Sequence, residues 1–459
     1  MPGADEARPG AAGDEGVAGA AAEEEHPGAA VEEGHPGAAA GEGPGSRTHA
    51  HPGLPPHLPP GRPPRVSRRA LFGSAAGGLA VLAGGGAATA ALRSGDRSAN
   101  PAIIPFHGPH QAGILTPRQS QVRLAAFDLG ARTDRGRAAA LLLRWTAAAE
   151  RLTRGESPDP RNEPPGSRAA ETGVLAGTGP ARLTVTFGLG PGLFDRPGLA
   201  RHRPAALAPL PAFPDDRLDP ARGSGHLLVQ IGADDAFVTT HVLRTLQRLA
   251  HGEARLRWTM TGFTAADGRR NLMGQIDGTN NPDPRRALLS GPGVPAWLVG
   301  GSYVVIRRIR MLLDHWDTLP AAHREQALGR RAADGAPLSG GDERTPVDLA
   351  AVRPDGVPMV AANAHVRLAA PAADAGDGAV MFRRGWSYHD GVRADGTPDA
   401  GLLFLAWQRD PRTAFVPVQR RLARGDALSR YLVHEASAVF AVPGGVSPGE
   451  YVAQGLMEG

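Results

Sequence analysis

Asn271-Leu-Met-Gly-Gln-Ile-Asp277-Gly-Thr-Asn-Asn-Pro-Asp-Pro284 is dense in asparagine, glycine and proline, residues that punctuate regular structure, and it reads as a long loop. What flanks this loop decides the fold. Ahead of it, alternating apolar runs and 3.6-residue periodicity predict a strand near 122–128, a helix near 135–152, strands near 183–189 and 227–231, a helix near 236–250 and a strand near 256–261. Beyond it the same order returns: a strand at 303–311, a short helix near 321–328, strands at 380–388 and 402–407, a helix at 414–433 and a strand at 436–442. A long insertion follows the first helix of this second set. Two ferredoxin-like β-α-β-β-α-β halves with antiparallel sheets, an α+β fold, are therefore expected, spanning 103–280 and 281–459.

The 459 residues include no cysteine and no lysine, so all 50 basic residues are arginine. The first absence excludes disulfides and thiolate chemistry. The second excludes Schiff-base lysines and the phosphate-binding P-loop. A uniform arginine usage points to coding bias rather than to a nucleic-acid partner, and none is expected.

Residues 1–64 are mostly Gly, Ala, Pro and Glu, with a near-repeat at His26-Pro-Gly-Ala-Ala and His35-Pro-Gly-Ala-Ala, and cannot build a core. They hold 10 acidic residues against 3 arginines, so the remainder carries +11 rather than +4. The stretch reads as a disordered extension, long for a signal n-region, and a downstream valine start codon is an alternative. Next comes Arg65-Val-Ser-Arg68-Arg69-Ala-Leu-Phe-Gly73, an apolar run diluted by glycine, and the small-x-small site Ala88-Thr89-Ala90. Residues 65–92 are expected to be a twin-arginine signal peptide, leaving no transmembrane segment after cleavage and an extracellular, periplasmic or cell-envelope location. That route passes folded proteins, and a bound cofactor is the commonest reason to need it.

Asp277 alone reads as an aspartate capping its own turn. Further on, Asn363-Ala-His365-Val-Arg-Leu places a histidine in a short apolar stretch, and 18 residues later Met381-Phe-Arg383-Arg384-Gly-Trp-Ser-Tyr sets two arginines among large apolar neighbours. An arginine in such a strand is costly without an anionic partner.

Gly274-Gln-Ile-Asp277-Gly278, His365 and Arg383, in this order and spacing, resemble the dye-decolourising peroxidases. The likeness extends to Pro105-Phe-His-Gly-Pro-His-Gln-Ala-Gly-Ile, Leu183-Thr-Val-Thr-Phe-Gly-Leu-Gly, Gly300-Gly-Ser-Tyr and Gly401-Leu-Leu-Phe-Leu, covering roughly 103–457, and is nearest to the secreted deferrochelatase/peroxidase branch. The resemblance implies one haem b per chain, enclosed by the two halves, with His365 as proximal iron ligand, Asp277 as distal acid/base and Arg383 as distal arginine. It implies haem contacts from Gly278, Thr279 and Asn280, and a propionate contact from Arg330 in Gly329-Arg330-(four residues)-Gly335-Ala-Pro-Leu338. Where the family often has Asn-Pro-Arg, this chain has Ala370-Pro371-Ala372, which departs from the pattern.

The implied activity is oxidation of organic donors by hydrogen peroxide. A carboxylate can carry a proton from one peroxide oxygen to the other, and a cation beside it favours its ionised form and stabilises the departing oxygen. Asp410 is a candidate acceptor for the second N–H of His365. Trp386, Tyr388, Trp407 and Tyr431 are candidate surface relays to bulky donors, though ordinary core packing is the reading favoured for each. The alternative is a haem-handling deferrochelatase that releases iron from haem alongside iron-uptake transporter components. Assembly into a homo-oligomer is open to either.

Overall fold

The computed structural model describes residues 103–164, 178–371 and 380–459; the leading extension, the twin-arginine segment and Ala372 lie outside them. Eight strands close into an antiparallel barrel: β1 (Gln121–Leu129), β2 (Thr184–Leu189), β3 (Leu227–Ala233), β4 (Ala254–Phe263), β5 (Ser302–Met311), β6 (Met381–Val392), β7 (Pro398–Gln408) and β8 (Leu432–Val442). Around the barrel they run β1-β3-β2-β8-β5-β7-β6-β4. The first four therefore lie as β4-β1-β3-β2 and the last four as β8-β5-β7-β6, the same permutation twice. This is the expected pair of ferredoxin-like halves. They join at two seams, Leu189 beside Ala441 and Phe263 beside Ser387.

Side chains alternate across each strand, so the sheet has a lumen face and an outer face. The lumen is filled by Val122, Leu124, Trp258, Val304, Ile306, Trp386, Tyr388, Leu405, Trp407 and Phe440. Over the outer face of the first half lie α1 (Arg135–Thr153) and α2 (Ala236–Leu249). Each is started by an aspartate that accepts a backbone N–H of the first turn, Asp134 from Arg137 and Asp235 from Phe237. In α1, Leu141, Leu142, Trp145, Ala148, Ala149 and Leu152 recur at helical spacing and are buried against Phe127 and Phe187 of the sheet.

The second half is covered differently. Its helices are short: α3 (Leu313–Asp317), α4 (Ala321–Leu328), α5 (His365–Ala369) and α6 (Phe415–Leu422), with α7 (Gln454–Glu458) closing the chain. The expected helix at 414–433 ends at Leu422, because Gly425 breaks it and β8 already begins at Leu432. Three of the candidate surface relays are core residues, the reading favoured for each, and do not reach the surface. Trp386, Tyr388 and Trp407 are at most 1% exposed, because even- and odd-numbered positions of β6 and β7 send them into the lumen. Tyr431 stacks edge-on against the buried Trp316, ring centroids 5.3 Å apart. No helix among the described residues is long and apolar enough to cross a membrane.

Candidate active site

A cavity of about 450 Å³ lies over the outer face of the second half, within the size range of sites for small organic ligands. Its floor is the outward side of the sheet: Ile309 and Met311 from β5, Arg383 and Gly385 from β6, Leu402 and Phe404 from β7. Facing them are α5, α6 and the loop at 271–282. All seven residues expected to form the site, Asp277, Gly278, Thr279, Asn280, Arg330, His365 and Arg383, line this one cavity.

His365 opens α5. Its Nδ1 lies 3.0 Å from Oδ2 of Asp426, leaving Nε2 as the nitrogen available to the cavity. Asp426 also accepts hydrogen bonds from the backbone N–H of Leu428 and Ser429 and, at 2.7 Å, from the Ser429 hydroxyl. Burial raises the pKa of Asp426, but the hydrogen bonds and the nearby imidazole outweigh it and hold the carboxyl below its usual value. The segment is fixed from both sides: Ala427 N–H donates to Asn363 O at 2.9 Å, and Arg421 donates to the carbonyls of Leu368 and Ala370. Gly329 ends α4 in the left-handed region (φ +93°), and a Cβ there would meet Val366 at 2.4 Å. Glycine at this point lets Arg330 and α5 share one wall.

Asp410, the expected partner of His365, is instead held by both Nε and Nη2 of Arg412 in the turn after β7. Asp426 takes the role because the chain leaves its helix early and turns back beneath α5.

Asp277 stands on the loop at 271–282. Its backbone N–H donates to Arg269 O at 2.8 Å, and Arg270 donates to the carbonyls of Gly274, Ala332 and Ala333, joining this loop to the one bearing Arg330. A Cβ at Gly385 would stand 2.7 Å from Asp277 Oδ2, so the bare Cα of β6 makes room for the carboxylate. Arg383, two residues earlier on the same face, is clamped by Asn281. The Asn281 amide donates to Arg383 O at 2.8 Å, and its oxygen accepts from Arg383 N and Nε at 3.1 and 3.2 Å.

The cavity is short of negative charge. Neither Arg330 nor Arg383 has a carboxylate within ion-pair distance among the described residues, although Asp277 acts on Arg383 from further off. Burial, and then the charge of Arg383, push the Arg330 guanidinium below its usual value. Arg330 donates through Nη1 to Gly335 O and Glu343 O, while its Nε is buried with no partner. Arg307 also reaches the wall and pairs with Asp216 and, at 3.1 Å, Ser437, while its Nε too is buried with no partner. Beside it His434, 7% exposed, is pushed down to about 3 by burial and by the Arg307 cation.

Two family models, described as Dyp-type peroxidase, N-terminal and C-terminal, match residues 111–264 and 268–447. The chain belongs to the Dyp-type peroxidase family. It is 45% identical over 372 residues to the dye-decolorizing peroxidase of Thermobifida fusca, covering 76% of this chain and 84% of that one. It is 36% identical over 376 residues to the deferrochelatase of Escherichia coli strain K12, covering 77% and 87%. Ferric DtpA from Streptomyces lividans superposes with a TM-score of 0.72 at 52% identity, covering 78% of this chain and 98% of that one.

The side chains of this Dyp-type peroxidase fit haem. An apolar slot walled by Ile309, Leu402, Phe404, Phe415 and Leu422 suits a flat macrocycle. The carboxylate-supported imidazole of His365 suits iron. Arg330 with its orphaned Nε, and Arg383, suit propionates and peroxide oxygens, which would supply the missing negative charge. Sequence reading missed Asn281 and Asp426. Gly425-Asp426, a helix-stop glycine followed by a capping residue, was the signal that could have found the second.

Proposed function

We propose that this chain is an exported haem b peroxidase that uses hydrogen peroxide to oxidise organic donors, with Asp277 as distal acid/base, Arg383 as the cation beside the peroxide and His365 as the iron ligand. The observation that carries the reading is that His365, backed by Asp426, lines the same cavity as Asp277 and Arg383. Haem, when bound, supplies the iron at which peroxide is reduced and from which donors are oxidised one electron at a time.

Within that frame each residue has a defined task. Asp426 accepts the Nδ1–H of His365, fixing the tautomer that leaves Nε2 unprotonated and raising its basicity. Arg330 pairs a propionate, while Gly278, Thr279 and Asn280 form the wall beside Asp277. Asp277 takes a proton from the near oxygen of peroxide and returns it to the far one, so that water leaves. Arg383, held by Asn281, stabilises negative charge on that departing oxygen without having to reorient. Purified protein expressed with haem should show a Soret band and turn over peroxide with dye donors; a chain without a Soret band under haem-replete expression ends this reading.

A second reading rests on the likeness to a protein named deferrochelatase. It requires that haem incubated with this protein yield metal-free protoporphyrin, and its absence rejects that role. Export is supported by Arg68-Arg69 ahead of an apolar, glycine-rich run. Arg68→Lys combined with Arg69→Lys should leave haem-loaded active enzyme inside the cell, and normal export of that variant rejects the twin-arginine route.

A further inference from the structure

We infer that Arg118, which belongs to the first half and lies ahead of β1, is a positioning residue for the carboxylate of Asp277; the inference rests on the peroxidase reading above. One guanidinium reaches three groups. Nη1 donates to Gly385 O at 2.5 Å and stands 3.9 Å from Asp277 Oδ2, and Nη2 donates to Gly268 O.

Each of those groups governs where Asp277 sits. Gly268 closes the turn that begins the loop, its N–H donating to Ala265 O, and the next residue, Arg269, accepts the Asp277 backbone N–H. Gly385 is the point of β6 on which the carboxylate rests, with no Cβ between them. Arg118 therefore sets the spacing between loop and sheet at the place where the carboxylate is lodged, and also faces that carboxylate with a positive charge. Removing it frees both supports together.

Its direction of approach differs from that of Arg383. A second void of about 10 Å³, room for one water molecule, is lined by Arg118, Arg270 and Ser387, and it shares Asn271, Asp277, Gly385 and Leu402 with the main cavity. Asp277 is thus part of the wall common to the two spaces. Arg383 serves the cavity side and Arg118 stands behind. Arg270, the other cation on that rear wall, is committed to three backbone carbonyls. Asp277 and Arg118 remain partly exposed, at 28% and 24%, so the attraction is screened and geometry carries most of the effect.

The test uses haem-loaded protein carrying Arg118→Leu, Arg118→Lys or, as reference, Asp277→Asn. Three quantities are measured: thermal midpoint and haem content, the dissociation constant of cyanide followed by the Soret shift, and the bimolecular rate with peroxide. Hydrogen cyanide, like peroxide, must surrender a proton to the distal carboxylate to bind as an anion. Arg118→Leu should keep its haem but weaken cyanide and slow peroxide each about tenfold, the scale of a lost supporting contact. Arg118→Lys, a cation unable to span both carbonyls, should lose about threefold. Wild-type values in both Arg118 variants while Asp277→Asn is impaired overturn the inference alone. Wild-type values in Asp277→Asn overturn the peroxidase reading beneath it. If Arg118→Leu fails to hold haem, Arg118→Lys decides: unchanged cyanide affinity there also overturns the inference.

Discussion

The imidazole of His365 and the carboxylate of Asp426 meet at 3.0 Å, and the Asp426 side chain has no solvent exposure. The carboxylate is satisfied on every side by donors, two of them backbone N–H groups, and stays charged in spite of its burial. A charged acceptor makes the imidazole more basic and favours ferric over ferrous iron. Asp426→Asn should therefore raise the haem reduction potential and lower peroxide turnover by about 10- to 100-fold. A redox titration of the two proteins checks this, and equal potentials would remove Asp426 from the account.

His365→Ala should abolish stable haem retention while leaving the fold intact, because α5 is held by backbone contacts from Arg421 and Ala427 rather than by the imidazole itself. The ratio of Soret to protein absorbance after gel filtration, with far-ultraviolet circular dichroism alongside, reads out both halves of the expectation.

Asn281 fixes the backbone and the Nε of Arg383 at once. Asn281→Ala should leave Arg383 in place chemically but not geometrically, slowing the bimolecular reaction with peroxide by about tenfold at unchanged haem content. Stopped-flow mixing with peroxide measures it.

His434 gives a pH signature. Its folded pKa of about 3 lies below the ordinary 6.5, so the unfolded chain binds the proton more readily. A depressed folded value means that the stability it contributes is complete above pH 6.5 and is lost progressively as pH falls from there toward 3. The thermal midpoint should drop by several degrees between pH 6.5 and 4, and His434→Gln should flatten that slope. A variant with the same slope as wild type would show that other groups control the acid limb.

The repeated β-α-β-β-α-β order was legible because it is written in local periodicity, which survives whatever surrounds it. That Asp277, His365 and Arg383 share one cavity was foreshadowed for another reason: they stand in motifs with distinctive flanks. Asp426 was legible only as a capping residue after the helix-stop Gly425; its partner was not, since the contact with His365 spans 61 positions and depends on the chain folding back beneath α5. The smooth apolar periodicity running from α6 into β8 also hid the break at Gly425. Trp386, Tyr388 and Trp407 follow the core reading and not the surface-relay one, because barrel closure buries both faces of the sheet. Arg118 lay in an unremarked stretch before β1, and only the folded chain brings it to Asp277 and Gly385.

The division of labour between Asp277 and Arg383 is the centre of the account, and pre-steady-state peroxide kinetics on haem-loaded Asp277→Asn and Arg383→Leu test it most directly. Both variants should retain a wild-type Soret band and lose peroxide reactivity by about 100-fold or more, the scale expected when a proton carrier or a charge-stabilising donor is removed. Wild-type rates in both variants, with haem fully bound, would contradict it.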